Sequence, residues 1–177
     1  MERRTVKERL YWCYANLAMA HSAVKRSPDS KRYSRVHYMI RAKLYKGLVS
    51  GTMSIRSLFD DEREKIKDSV SCSFCGSSSD LSVDHLVSRF NGGSDSGDNL
   101  IATCRICNSS KGKKDLLEWY EGKEEFPPLM TFRRYLKLCH TFASERGILE
   151  MEIEGIDFTS IPFRIDLWLD PRKLAHF

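Results

Sequence analysis

The chain has 177 residues, enough for one ordinary domain or for two small lobes that would each need reinforcement beyond their own cores. Hydrophobic residues make up 41% and charged residues 30%, which excludes a disordered chain, and no apolar run approaches the ~20 residues that span a bilayer. The net charge of +5 conceals an asymmetry, because residues 1–50 carry twelve Lys/Arg against three Asp/Glu while the remainder is net acidic. A basic block on a mildly acidic body suits a polyanion partner, with a solvated helix surface as the alternative. The N-terminal stretch MERRTVKERLYW has neither an apolar signal core nor a small-residue cleavage site. An intracellular, cytoplasmic protein without membrane association is therefore expected.

In chain order, Val6, Leu10, Cys13, Leu17, His21 and Val24 recur at helical spacing, and Ser27-Pro28-Asp29 ends that helix. A second helix is predicted from about Ser30 to Val49, with Tyr33, Val36, Ile40, Leu44 and Leu48 on its apolar face. A shorter third helix is predicted over Ile55 to Lys67. From Asp68 to Lys114 the texture changes to Ser, Gly, Asn and Cys. Leu81-Ser82-Val83 and Leu100-Ile101-Ala102 read as strands, with the turn-prone Asn91-Gly92-Gly93-Ser94-Asp95 between them. A short helix is predicted from Arg105 to Gly112, then one capped by Asp115 through Leu116, Leu117, Trp119 and Tyr120. After Pro127-Pro128 a helix runs from Leu129 to about Arg146, with Leu129, Phe132, Leu136, Cys139 and Phe142 on one side. The tail from Ile148 to Phe177, with Ile165, Leu167, Trp168 and Leu169, reads as a strand or a packed arm. Three regions follow: a basic helical region at 1–68, a compact core at 69–122, and a C-terminal helix and arm at 123–177.

Four of the six cysteines fall into two C-x-x-C pairs, Cys72/Cys75 and Cys104/Cys107. One tight turn can present both sulfurs of such a pair to one ion, and two pairs supply four thiolates to tetrahedral zinc. Four unrelated thiols or a redox pair are the competing reading. Zinc would staple a region too small and polar to hold its own core. Cys13 and Cys139 read as buried apolar residues.

The motifs C-S-F-C at 72–75, V-D-H-L at 83–86, N-G-G-S at 91–94, D-N-L-I at 98–101 and C-R-I-C-N-S-S-K-G at 104–112 occur in that order. Taken together they resemble the HNH endonuclease family in its four-cysteine zinc variant, over about a quarter of the chain. The resemblance implies an α+β fold: a ββα-metal, treble-clef-like core stapled by zinc, with mainly helical flanks. It implies that Asp84 is a ligand of a catalytic divalent cation, that His85 is the general base and that Asn99 holds the loop and the histidine in position. Asn108 stands where the family has its final histidine and would be the second ligand of that cation. An amide oxygen binds softer ions less well than imidazole, so Mg²⁺ or Mn²⁺ is the expected catalytic ion beside structural Zn²⁺.

On this reading the protein is a metal-dependent DNA endonuclease acting in restriction, phage DNA processing or antiphage defence. Arg89, Arg105, Lys111 and Lys113 are the expected phosphate contacts near the core, with Lys114 beside them. The N-terminal cations would widen the DNA-facing surface, whereas Tyr11, Tyr14, Tyr33 and Tyr38 are expected mostly to pack. Two alternatives remain open: a non-catalytic zinc module that binds DNA or assembles, and a nuclease subunit active only in a larger complex. A homodimer would suit double-strand cutting.

Overall fold

The computed structural model describes residues 4–26, 32–55 and 70–167. Their elements are α1 (Val6–Arg26), α2 (Arg35–Val49), β1 (Leu81–His85), β2 (Leu100–Cys104), α3 (Arg105–Lys111), α4 (Leu116–Gly122) and α5 (Leu129–Glu145). This is an α+β fold with one small sheet. The helix predicted over Ile55 to Lys67, the Ser27-Pro28-Asp29 turn, and Trp168 and Leu169 lie outside the described residues. Among the described residues, no helix is long and apolar enough to cross a membrane.

The described chain divides into two compact units, one of residues 4–26, 32–55 and 140–156, the other of residues 70–139 and 157–167. In the first, Thr5 Oγ1 accepts from the Glu8 N–H (3.2 Å), which caps α1. Val6, Leu10, Cys13, Leu17 and Ala20 of α1 are buried along one stripe. Against α2, Trp12 meets Tyr45 edge-on at 5.3 Å, and the Arg41 guanidinium lies 4.6 Å over the Trp12 ring. A strand-like bridge pairs Thr5 with Glu152, and Lys7 Nζ donates to Glu150 at 2.6 Å.

Helix α2 differs from its sequence pattern in its start and, at the first turn, in which residue is buried. It begins at Arg35, because His37 Nδ1 accepts the Ser34 N–H (3.0 Å) and closes the first turn there. His37, Gly47 and Leu48 are its buried residues, whereas Val36 is 46% exposed. Ile40 and Leu44 are half-buried and Leu48 buried as the pattern expects, and only at the N-terminal turn does His37 take the inner position in place of Val36.

In the second unit β1 and β2 form an antiparallel hairpin, with Leu81 opposite Cys104, Val83 opposite Ala102 and His85 opposite Leu100. Helix α3 follows β2 without a spacer, so the order is strand, strand, helix. The strands are longer than the apolar triplets suggested. Asp84, His85, Thr103 and Cys104 lack β-pattern hydrophobicity but complete the ladder. Gly112 closes α3 with a positive φ of 51°, and Asp115 caps α4 by accepting from the Leu117 N–H at 2.8 Å.

The core of this unit is aromatic. Phe74 meets Trp119 edge-on at 5.0 Å, and Trp119 meets Tyr120 at 4.9 Å. Leu116, Leu117, Phe132, Tyr135, Leu136, Phe163 and Ile165 are buried in the same unit. Full burial of such side chains contributes about 1.5–3 kcal/mol each. Two bonds fix the cysteine turn to this core: Thr131 Oγ1 donates to the Ser73 carbonyl (2.6 Å), and Tyr120 Oη to that of Phe74 (3.4 Å).

Candidate active site and metal centre

Cys72 and Cys75 sit on a tight turn before β1. It is closed by Gly76 N–H to Cys72 O (2.8 Å) and tied to β2 by Ser73 N–H to Ala102 O (2.8 Å). Cys104 ends β2 and Cys107 lies in the first turn of α3. The register of the hairpin therefore brings together cysteines far apart in sequence. All four Sγ atoms lie within 4.8 Å of one another, and Cys75 Sγ is 3.7 Å from Cys104 Sγ. A tetrahedral ion with Zn–S bonds of ~2.3 Å separates its sulfurs by roughly 3.8 Å, so the donor set fits zinc.

Backbone amides are already turned toward this charge. Phe74 N–H donates to Cys72 Sγ at 3.4 Å and Cys107 N–H to Cys104 Sγ at 3.5 Å. Burial pushes the Cys72 thiol up, but N–H donors around it outweigh that and hold it at about 6. Burial pushes the Cys107 thiol well above its usual range. Such a split arises when four thiols share one small space, and a cation relieves it.

Residues two apart on a strand share a face, so Ser82 and Asp84 of β1 both face α3. Asn108 Nδ2 lies 3.4 Å from Ser82 Oγ, and Lys111 Nζ lies 3.5 Å from Asp84 Oδ2. The Ser82 hydroxyl donates its proton to the Thr103 carbonyl at 3.2 Å. It can then only accept from Asn108, which assigns the amide nitrogen to Ser82 and leaves Asn108 Oδ1 free. Asp84 Oδ2 is buried and makes no hydrogen bond among the described residues. A buried carboxylate oxygen without a hydrogen bond costs free energy unless a cation meets it, and the Lys111 ammonium at 3.5 Å does so only at ion-pair distance, leaving room for a closer ion. The oxygen donors of Asp84 and Asn108 therefore fit a hard divalent ion.

Lys111 is not a surface cation. It is 1% exposed, and its Nζ donates to the His85 carbonyl at 3.1 Å. Burial lowers its affinity for a proton, and the Asp84 charge opposes that effect. Its contacts tie the end of β1 to α3, in place of the phosphate contact expected from sequence.

His85 ends β1, and its side chain is about one-fifth exposed, at 22%. Its Nε2 is 2.7 Å from Asp95 Oδ1, and Asp95 Oδ2 is 3.5 Å from Arg89 Nη1. The sequence reading left Asp95 out. The signal available was an acidic residue in the loop between His85 and Asn99. Asn99 itself is buried and fully satisfied. Its Oδ1 accepts from Val87 N–H, and its Nδ2 donates to the carbonyls of Val87 and Ser94, all at 2.8 Å. Gly93 is required in this loop, since a Cβ there would collide with the Val87 carbonyl. Arg134 of α5 donates to the carbonyls of Asp98 (2.7 Å) and Gly97 (3.0 Å), and so braces the turn leading into β2.

Arg89, Arg105 and Lys113 are exposed. Lys113 Nζ lies 4.2 Å over the ring of Phe90, which is 75% exposed. In the other unit Arg41 is engaged with Trp12, Tyr38 and Asn16, and Lys7 with Glu150. Tyr14 is buried, and Tyr11 stacks on His140 at 5.8 Å.

Residues 72–114 match the family model described as HNH endonuclease. The matched stretch runs from the first cysteine to the residues after α3, and so contains the whole hairpin, loop and metal cluster. No curated protein and no solved structure matches the chain.

Proposed function

With an HNH endonuclease segment at residues 72–114 as premise, we propose that this protein is a metal-dependent endonuclease that hydrolyses phosphodiester bonds of DNA. The observation that carries this reading is the buried Asp84 carboxylate, whose Oδ2 makes no hydrogen bond among the described residues and has only the Lys111 ammonium at 3.5 Å beside it, one residue from the His85 imidazole. A structural zinc site would spend no such group.

In the proposed reaction His85 takes a proton from the attacking water, the general-base role that an imidazole lone pair can fill. Asp84 and Asn108 would hold a divalent cation, Mg²⁺ or Mn²⁺, which when bound supplies charge relief at the phosphate and the leaving 3′ oxygen. Base and carboxylate are adjacent residues at the end of β1. The four thiolates of Cys72, Cys75, Cys104 and Cys107 leave zinc no open position, and its role is structural. Asn99 and Lys111 hold the loop and β1 in place. Arg89, Arg105 and Lys113 are the phosphate contacts of the core, 69–122 is the nuclease region, and the basic region of 1–68 also contacts DNA.

The test is plasmid cleavage by the full chain across a panel of divalent ions. His85→Ala is expected to lose about 10²–10⁴-fold in rate at unchanged zinc content and thermal unfolding. A His85→Ala protein that cuts at the wild-type rate would refute the mechanism. Binding without nicking by the wild type, in every ion, would mark a DNA-binding module instead.

A further inference from the structure

We infer that Asp95 is the positioning residue of His85, holding the imidazole through Nε2 so that Nδ1 is the nitrogen presented to the attacking water. This inference rests on the nuclease reading and names a part of it that the sequence motifs do not contain.

The argument starts from donor and acceptor counts. A neutral imidazole has one N–H and one lone pair, and an ionised carboxylate can only accept. Asp95 is kept ionised, because the His85 hydrogen bond and the nearby Arg89 charge both hold its carboxyl below the usual range. At 2.7 Å from Asp95 Oδ1, Nε2 must therefore carry the proton. The lone pair then sits on Nδ1. The bond also fixes rotation of the ring about its two side-chain torsions, which on a residue at a strand end would otherwise be free.

The loop explains why Asp95 is available. Ser94, its neighbour, has its carbonyl pinned by Asn99 Nδ2, and Asn99 also clamps both backbone groups of Val87. The loop between is short, and Gly93 lets it pass close to Val87. Asn99 thus acts on His85 at one remove, by fixing the residue beside Asp95. Arg89 approaches the other carboxylate oxygen and limits its swing. Asp95 is 64% exposed, and its contacts are too solvated to matter for folding. Its worth is orientation of a neighbour.

The experiment compares wild type, Asp95→Ala, Asp95→Asn and His85→Ala as zinc-loaded full chains. Asp95→Ala is expected to lower kcat about 10–100-fold with KM for DNA, zinc content and thermal unfolding unchanged. Asp95→Asn, which keeps an acceptor oxygen, is expected to recover part of that loss. The second readout is NMR of the His85 ring without DNA or added divalent ion. Wild type should show a slowly exchanging, downfield Nε2–H proton that is lost in Asp95→Ala. A full-rate Asp95→Ala beside an inactive His85→Ala would overturn the Asp95 role and leave the nuclease reading standing. A His85→Ala protein of full activity would remove both. A ring proton unaffected by Asp95→Ala would overturn the inference whatever the rates.

Discussion

Lys111 shows how one residue can serve two ends of a site. Its ammonium lies within ion-pair distance of Asp84 and donates to the His85 carbonyl, from a side chain with no exposed surface. Removing it leaves the Asp84 carboxylate buried and unpaired, a loss of about 3 kcal/mol on the scale of broken buried pairs. A divalent cation held by Asp84 would replace the missing positive charge. Lys111→Met is therefore expected to destabilise the zinc-loaded protein in urea unfolding, and millimolar Mn²⁺ should restore part of the loss. If added Mn²⁺ restores nothing, Asp84 is not a cation ligand. The same reasoning explains why the sequence pattern points to this lysine as an exposed phosphate contact. A lysine in a Ser/Lys/Gly-rich stretch has the composition of a solvated charge, and only the register of β1 against α3 buries it.

At the scale of elements, the hairpin and α3 form one device. Strand β1 has little apolar surface to bury: Leu81 and Val83 are exposed, and Ser82 and Asp84 are polar. A two-stranded hairpin is marginal in water, and its stability must come from what it packs on and from the metal. Structural zinc contributes on the order of 10 kcal/mol, comparable with the whole stability of an ordinary domain. Chelation of zinc is therefore expected to unfold the hairpin and α3, to abolish cleavage and to collapse the His85 ring signals. Circular dichroism and zinc analysis, read together, check this. Activity that survives stoichiometric zinc loss would overturn the staple. Zinc is not the only support, because Thr131 and Arg134 of α5 reach the cysteine turn and the turn before β2. The matched family segment ends at residue 114, and these braces lie beyond it.

For the whole molecule, the basic block of residues 1–50 remains the feature that charge alone picks out. Part of it is consumed internally, by the Arg41 contacts and the Lys7–Glu150 pair. Arg35, Lys43 and Lys46 on α2 are exposed. If they contact phosphates, replacing all three with Gln should reduce the dependence of log K on log salt by up to ~3 × 0.9, or roughly 2.7. Fluorescence anisotropy with duplex DNA across a salt series measures it. An unchanged slope would show that α2 does not face DNA.

Much of this was legible from sequence because it is written in local patterns. Paired cysteines at two-residue spacing, the strand–loop–strand texture, Gly112 after α3 and Asp115 before α4 are short-range signals, and each reappears in the folded chain. The four-cysteine cluster, the hairpin and the short helices therefore followed from the order of residues alone. Other features required the tertiary structure, because they depend on which side chains meet across the hairpin and the loop. These are the pairing of His85 with Asp95, the burial of Lys111 against Asp84, the orientation of the Asn108 amide by Ser82, and the burial of His37 at the start of α2. Spacing along a chain reports the periodicity of an element, but a hydrogen bond between residues 10 or 26 positions apart depends on the register in which those elements pack.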